Sequence, residues 1–258
     1  MYEDTQVSFL DAAAALSRAA ASVAVESGVV HVWPLLLSGS EATRDACAAV
    51  LSSTELERAR RFFHERDRHG FIFSHGLMRH LLGAYLGRAP SQLEFVAGEF
   101  GKPRLSYVHG ASTRALSFNL SHSHGRAVLA VSEGREVGAD VEQNNPTRDL
   151  LSIASNYFFG PEFESIRDAG EAGRTEAFFR YWTAKEAVLK GHGTGLSLPL
   201  KAFHVRFAAD LATAHVQSLD ESRLEAGWFV RCLRCEPGWH AAVAARTDEW
   251  EMKVITSG

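Results

Sequence analysis

Nine residues, Trp182-Thr183-Ala184-Lys185-Glu186-Ala187-Val188-Leu189-Lys190, end a stretch from about 175 to 191 that repeats its apolar side chains with the period of a helix. Phe178, Tyr181, Trp182, Val188 and Leu189 fall on one buried face, and Gly191 marks the expected stop. Lys185 lies three residues from Trp182 and four from Leu189, on or beside that face. An ammonium there needs an anion, because burying it unpaired is costly. Glu186 and Lys190, four apart, stand one turn apart on a neighbouring stripe. Two cations and a carboxylate beside an apolar seam suggest a phosphate site with a metal.

The remaining composition permits such a pocket and excludes several alternatives. At 258 residues the chain can hold one large domain or two small ones with an ample core. A net charge of −4 argues against a nucleic-acid binder that works through a broad basic field, yet 27 basic residues remain for a local anion pocket. No apolar run reaches the roughly 18 residues that a membrane span needs. The first ten residues carry Glu3 and Asp4 without a basic leader, and the three cysteines make no disulfide framework, so the expected compartment is the cytoplasm.

Along the chain, residues 1–28 are rich in alanine and serine, fit either a helix or a loose extension, and have no assigned role. A strand is expected at 29–37, helices at 41–51, 55–68 and 71–86, and strands at 93–96, 117–121, 127–132 and 137–142. After Pro146, helices at 150–159, 163–168 and 175–191 precede strands at 203–207, 228–233 and 240–244. Helices followed by strands, twice, read as α+β, with a division near 135–138.

Val137-Gly138-Ala139-Asp140-Val141-Glu142 is the second informative segment. On a strand, Asp140 and Glu142 share a face with Cα atoms roughly 6.5–7 Å apart, while Val141 points into the core. Such a pair makes a platform for a divalent cation; the same spacing also fits two solvated acids. Phe118-Asn119-Leu120-Ser121-His122-Ser123-His124-Gly125 ends a strand in a polar turn able to donate to phosphate. A zinc reading of His122 and His124 lacks further ligands at a suitable spacing. Gly101-Lys102-Pro103-Arg104 puts a cation in a rigid turn. Arg58, Arg60, Arg61, Arg66 and Arg68 read first as a solvated helix face. Cys232 and Cys235 form a C-x-x-C without a second pair and read as ordinary residues.

In this order the segments resemble the 4'-phosphopantetheinyl transferase superfamily, Sfp type. Gly138-Ala139-Asp140-Val141-Glu142 is similar to its G-[IV]-D-[IVL]-E motif, and 182–190 to its W-x-x-K-E-[AS]-x-x-K. Gly101-Lys102-Pro103 and Phe118-Asn119-Leu120-Ser121-His122 match its G-K-P and F-N-[IL]-S-H elements, and Gly195-Leu196-Ser197-Leu198-Pro199-Leu200 resembles the stretch after the helix. The likeness covers about residues 50 to 245.

The resemblance implies two similar α+β halves, 1–136 and 137–258, with coenzyme A in the cleft between them. It implies transfer of the 4'-phosphopantetheine arm of coenzyme A to a serine of an apo acyl or peptidyl carrier protein, releasing adenosine 3',5'-bisphosphate. Asp140, Glu142 and Glu186 would hold Mg²⁺; Glu186 would activate the serine; Lys190 would pair with a phosphate. Lys102, Pro103, Asn119, Ser121 and His122 match coenzyme-contacting positions, Arg66 matches a coenzyme-contacting arginine of some members, and Lys185 would support the same anionic region or hold the helix in place. The chain departs from the pattern at Gly70 and Glu55, where basic residues are usual, and at His124, an extra residue in the turn. A monomer serving polyketide or nonribosomal peptide synthases is the expected setting, without nucleic-acid or membrane partners. A catalytically silent carrier-binding module and a metal-dependent phosphoesterase are the rival readings.

Overall fold

The computed structural model describes residues 6–21, 23–106, 115–145, 149–219, 223–247 and 250–256; residues 1–5 of the alanine-rich start and Pro146 lie outside them. The first half runs α1 (Ala12–Ala19), β1 (Val29–Leu36), α2 (Glu41–Ala49), α3 (Ser53–Arg60), α4 (Glu65–Leu86), β2 (Phe95–Ala97), β3 (Pro103–Leu105), β4 (Leu116–Ser123) and β5 (Arg126–Glu133). The second runs β6 (Val137–Gln143), α5 (Leu150–Tyr157), α6 (Gly160–Asp168), α7 (Gly170–His192), β7 (Phe203–Phe207), β8 (Thr213–Ser218), β9 (Trp228–Leu233), β10 (Trp239–Arg246) and β11 (Glu251–Val254). The protein is α+β, as its pattern predicts.

Two sheets carry the architecture, in the orders β11-β1-β5-β4 and β6-β10-β9-β8-β7. All ladders are antiparallel except β1 with β11, which pair in parallel (Val29 with Glu251 through Val32 with Val254). The last strand therefore returns to the sheet of the first half. One core gathers Trp33, Leu77, Leu81, Phe118 and Leu129 under α4; another gathers Phe178, Val188, Phe203, Trp228 and Val230 under α7. A third joins the sheets, with Val30, Val32 and Val128 against Val141, Val243 and Trp250. Each such side chain, fully buried, contributes about 1.5–3 kcal/mol of transfer free energy.

Several elements differ from expectation for identifiable reasons. The charged segment 55–68 is not one helix. The Ser52–Glu55 capping box starts α3, and after Arg60 the chain turns so that Phe62 packs on Phe71, 5.6 Å between ring centroids, before α4 begins. The long helix does not stop at Gly191; it runs to His192 and ends on Gly193 in the left-handed region (φ 88°). Gly191 is small for a packing reason, since a Cβ there would come within 2.5 Å of the Trp228 ring. The short strands β3, β8 and β11 carried too little pattern to be anticipated, while α1 realises, over Ala12–Ala19, the helix that was one of two readings of the alanine-rich start.

The His122 turn is a tight hairpin. Ser123 pairs with Arg126 across His124 (φ 44°) and Gly125 (φ 82°), and two positive φ values in a two-residue loop are the type I′ geometry. No helix among the described residues is long and apolar enough to cross a membrane.

Candidate active site

The edge strands β4 and β6 lie side by side where the two sheets meet, but they do not pair as a ladder. Side chains supply the missing bonds. Asn119 Oδ1 accepts from the Ala139 amide at 2.9 Å, and Ser121 Oγ accepts from the Val141 amide at 3.4 Å. Odd-numbered residues of β6 thus turn their backbone toward β4. Asp140 and Glu142 project from the face covered by α7.

Helix α7 can lie close to β6 because residue 138 is glycine. A Cβ at Gly138 would stand 2.0 Å from the Ala187 carbonyl oxygen and 2.2 Å from the Gly191 nitrogen, so backbone touches backbone. That contact places Glu186 and Lys190, which flank Ala187 and Gly191, beside the strand acids. Lys190 Nζ lies 2.5 Å from Asp140 Oδ1 and donates to Ser121 Oγ at 2.9 Å. Ser121 in turn donates to Asp140 Oδ1 at 3.0 Å. Asp140 is 1% exposed, and its other oxygen, Oδ2, is buried with no hydrogen-bond partner. Glu142, partly buried, accepts from Ser123 Oγ at 3.1 Å.

The electrostatics of the group follow from this crowding. Burial, then the negative charges of Asp140 and Glu142, push Glu186 up to about 7 against the pull of Lys190. For Lys190, burial pulls the pKa down, but Asp140, Glu186 and Glu142 together hold it above the ordinary lysine value. Partial desolvation, Lys190 and Arg58 hold His122 below its ordinary value. His75, stacked on Phe71 at 3.8 Å, is pushed down to about 4, chiefly by burial, with His122 and Arg58 adding to the effect. The carboxylates of the site thus stand beside the cation Lys190, with Arg58 close enough to act on His122, whose imidazole is neutral near pH 7.

Among the described residues, no three His, Cys, Asp or Glu side chains are gathered closely enough to form a ready metal cage. The donor set nevertheless fits a hard divalent cation. One carboxylate oxygen of Asp140 is buried without a partner, and Glu186, raised chiefly by burial, also feels the negative charges of Asp140 and Glu142. Magnesium typically draws only one or two protein carboxylates and fills its other positions with phosphate and water.

Of the residues singled out in the sequence, the structure brings Asn119, Ser121, His122, Asp140, Glu142, Glu186 and Lys190 together. Lys185 is a correction. It is 0% exposed and its anion is Glu162, Oε2 at 2.9 Å; its other two N–H groups go to the Leu200 and Phe203 carbonyls, both at 2.7 Å. With three donors all engaged in the core, it has none for coenzyme. Glu162 also accepts from the Val205 and Phe159 amides, so the pair fastens α6, α7 and β7. Arg66 is 87% exposed on the first turn of α4, 3.5 Å from Asp67, and nothing gathers it with the site. Pro103 is exposed at the start of β3. Lys102 donates to the Val137 carbonyl at 3.0 Å and the Gly191 carbonyl at 2.6 Å.

Sequence reading missed Ser123, whose link to Glu142 was legible in the alternation Asn119, Ser121, Ser123, and His75, which carried no signal. Arg58 stood out only as one arginine among five. Cys232 and Cys235 are free thiols pushed up to about 12 by burial, which leaves them inert. An open cavity between α1 and α4, lined by Leu16, His80 and Arg88 among others, shares no residue with this site.

Carboxylates on β6 and α7 beside Lys190, with His122 on β4, are a set of side chains suited to a transferase that acts on a phosphate ester. Residues 136–244 match the model of the 4'-phosphopantetheinyl transferase superfamily, and residues 38–134 match that of the 4'-phosphopantetheinyl transferase N-terminal region. The chain is 42% identical over 171 residues to the 4'-phosphopantetheinyl transferase HetI of Nostoc sp., covering 66% of this chain and 71% of that one. It is 28% identical over 206 residues to the transferase Sfp of Bacillus subtilis, covering 80% and 87%. It is 27% identical over 210 residues to the L-aminoadipate-semialdehyde dehydrogenase-phosphopantetheinyl transferase of Xenopus laevis, covering 77% and 69%. The chain belongs to the 4'-phosphopantetheinyl transferase superfamily.

Proposed function

We propose that this transferase moves the 4'-phosphopantetheine arm of coenzyme A onto a serine of apo acyl or peptidyl carrier proteins, using Mg²⁺ held by Asp140, Glu142 and Glu186. The observation that carries the metal assignment is the buried, partnerless Oδ2 of Asp140 beside two further carboxylates. Bound there with the pyrophosphate, the ion would supply charge stabilisation for the departing phosphate.

The chain's own residues divide the remaining work. Glu186, with a pKa near 7, is poised to take the proton of the carrier serine, whose hydroxyl is a weak nucleophile unaided. The serine oxygen forms a bond to the phosphorus nearest the pantetheine, and the bond from that phosphorus to the bridging oxygen breaks. Adenosine 3',5'-bisphosphate leaves with the electron pair. Lys190 pairs with a phosphate oxygen, exchanging part of its contact with Asp140. His122, a neutral imidazole near pH 7, offers a hydrogen bond toward the nucleotide's phosphates, and Arg58 supplies positive charge nearby. The halves 1–136 and 137–258 present these groups from opposite sides of the junction. A cytoplasmic monomer serving polyketide or nonribosomal peptide synthases, without nucleic-acid or membrane partners, completes the reading.

The test is to incubate the protein with coenzyme A, Mg²⁺ and an apo carrier and to weigh the carrier. A gain of one phosphopantetheine arm is the expected result. A carrier that binds without gaining mass would instead identify a silent module, and coenzyme cleavage without any carrier would identify a phosphoesterase.

A further inference from the structure

Lys102 was expected to meet coenzyme, yet two of the three N–H groups of its ammonium are directed to backbone carbonyls of the protein itself. It reaches from the loop before β3 to the Val137 carbonyl, the first residue of β6, and to the Gly191 carbonyl in the last turn of α7. The Gly191 carbonyl is one of the four that a helix C-terminus leaves without an intrahelical partner, and a cation there also complements the helix dipole. The stem of Lys102 is held along its length as well, since a Cβ at Gly193 would lie 3.3 Å from its Cδ.

The position of this contact within the junction gives it meaning. β6 has no backbone partner on the side of β4, and its outward groups at 137, 139 and 141 are met one after another by Lys102, Asn119 and Ser121. Ser121 meets α7 through the Lys190 side chain, whereas Lys102 binds the backbone of α7 itself, at the Gly191 carbonyl. Gly138, where α7 and β6 touch, lies between the two carbonyls it holds. Two residues further along β6 is Asp140, and one residue before Gly191 is Lys190.

We propose that Lys102 is a positioning residue, a strap that fixes the start of β6 against the end of α7 and so sets the Asp140–Lys190 spacing, and that it is not a phosphate ligand. This deepens the transferase reading and rests on it for the kinetic consequences alone.

The experiment compares wild type with Lys102→Met, which keeps the stem and removes the donor, and Lys102→Arg, which keeps a charged donor. Hydrogen exchange is read in peptides covering 137–141 and 187–193. The Met variant should exchange about tenfold faster in both segments and not in α4, while the Arg variant keeps most of the protection. In carrier transfer, the Met variant should lose about tenfold in kcat with the KM for coenzyme A changed by less than about threefold. Unchanged exchange in both segments overturns the strap, as does a KM for coenzyme A raised tenfold at unchanged kcat. If Lys102→Met does not fold, Lys102→Gln is measured in the same way. Should wild type itself transfer nothing, the transferase reading fails while exchange still decides the strap.

Discussion

The ammonium of Lys190 lies 2.5 Å from Oδ1 of Asp140, while Oδ2 of the same carboxylate, equally buried, has no partner. A buried acceptor left unsatisfied costs about 1–3 kcal/mol. Asp140 is therefore half completed by the protein and half left for something else. A divalent cation should bind and stabilise the fold, by about 2.7 kcal/mol at a hundred times its dissociation constant. Thermal unfolding with Mg²⁺ against a chelator should show a rise of several degrees, absent in Asp140→Asn. The binding should weaken as pH falls through about 7, where Glu186 takes up a proton that a cation must displace. A rise in melting temperature that persists in Asp140→Asn would move the metal elsewhere.

Replacing Asp140 by Ala should lower carrier transfer by at least about 100-fold, since it removes a charge acting on the reacting phosphate, while leaving a native circular-dichroism spectrum. Lys190, about one-third exposed, can turn to water when its partner goes. Replacing Lys190 by Ala should act mainly through a raised KM for coenzyme A. A KM equal to that of wild type would refute its phosphate role.

Glu186 exposes a conflict between function and stability. Its folded-state pKa of about 7 stands above the ordinary 4.5, so the folded protein binds more protons than the unfolded chain between those values. Stability from this group is present at low pH and is lost as pH rises through that window. The full effect is about 3–4 kcal/mol, less once water screens the partly exposed carboxylate. Glu186→Gln should therefore melt several degrees higher than wild type at pH 8 without metal, and near the same temperature at pH 5, while transferring nothing. Denaturation at the two pH values decides it.

Gly138→Ala should be the most damaging small substitution on β6. A methyl 2.0 Å from the Ala187 carbonyl cannot be housed by rotating a side chain, so α7 must move. Overpacking of this kind costs about 1–3 kcal/mol or more. Urea unfolding should show the loss, and transfer should fall beyond what the lost stability explains, because Glu186 and Lys190 move with the helix.

Lys185→Met should destabilise by about 3–5 kcal/mol, leaving Glu162 in the core with two backbone amides but no counter-ion. Adding Glu162→Gln should recover much of that loss. In the double variant, the KM for coenzyme A should match wild type; a large increase would return Lys185 to the binding site.

The period of the apolar residues was enough to place the central helix and most strands, and to set Asp140 with Glu142 on one face. Those are local properties, fixed by backbone geometry and side-chain alternation. It also showed that Lys185 required an anion, since burial of an ammonium follows from helical spacing alone. Which anion was beyond the sequence: Glu162 lies 23 positions away on another helix, and only packing of α6 on α7 brings it within 2.9 Å. The same limit explains Lys102, whose two acceptors lie 35 and 89 residues along the chain. Motif order identified the residues that meet at the junction, but the way two unpaired sheet edges are joined by Asn119, Ser121 and Lys102 depends on long-range placement. The chain alone determined which side chains were chemically fit for the work. The tertiary structure decided which of them were free to do it, because a donor's availability depends on every acceptor that folding brings within reach.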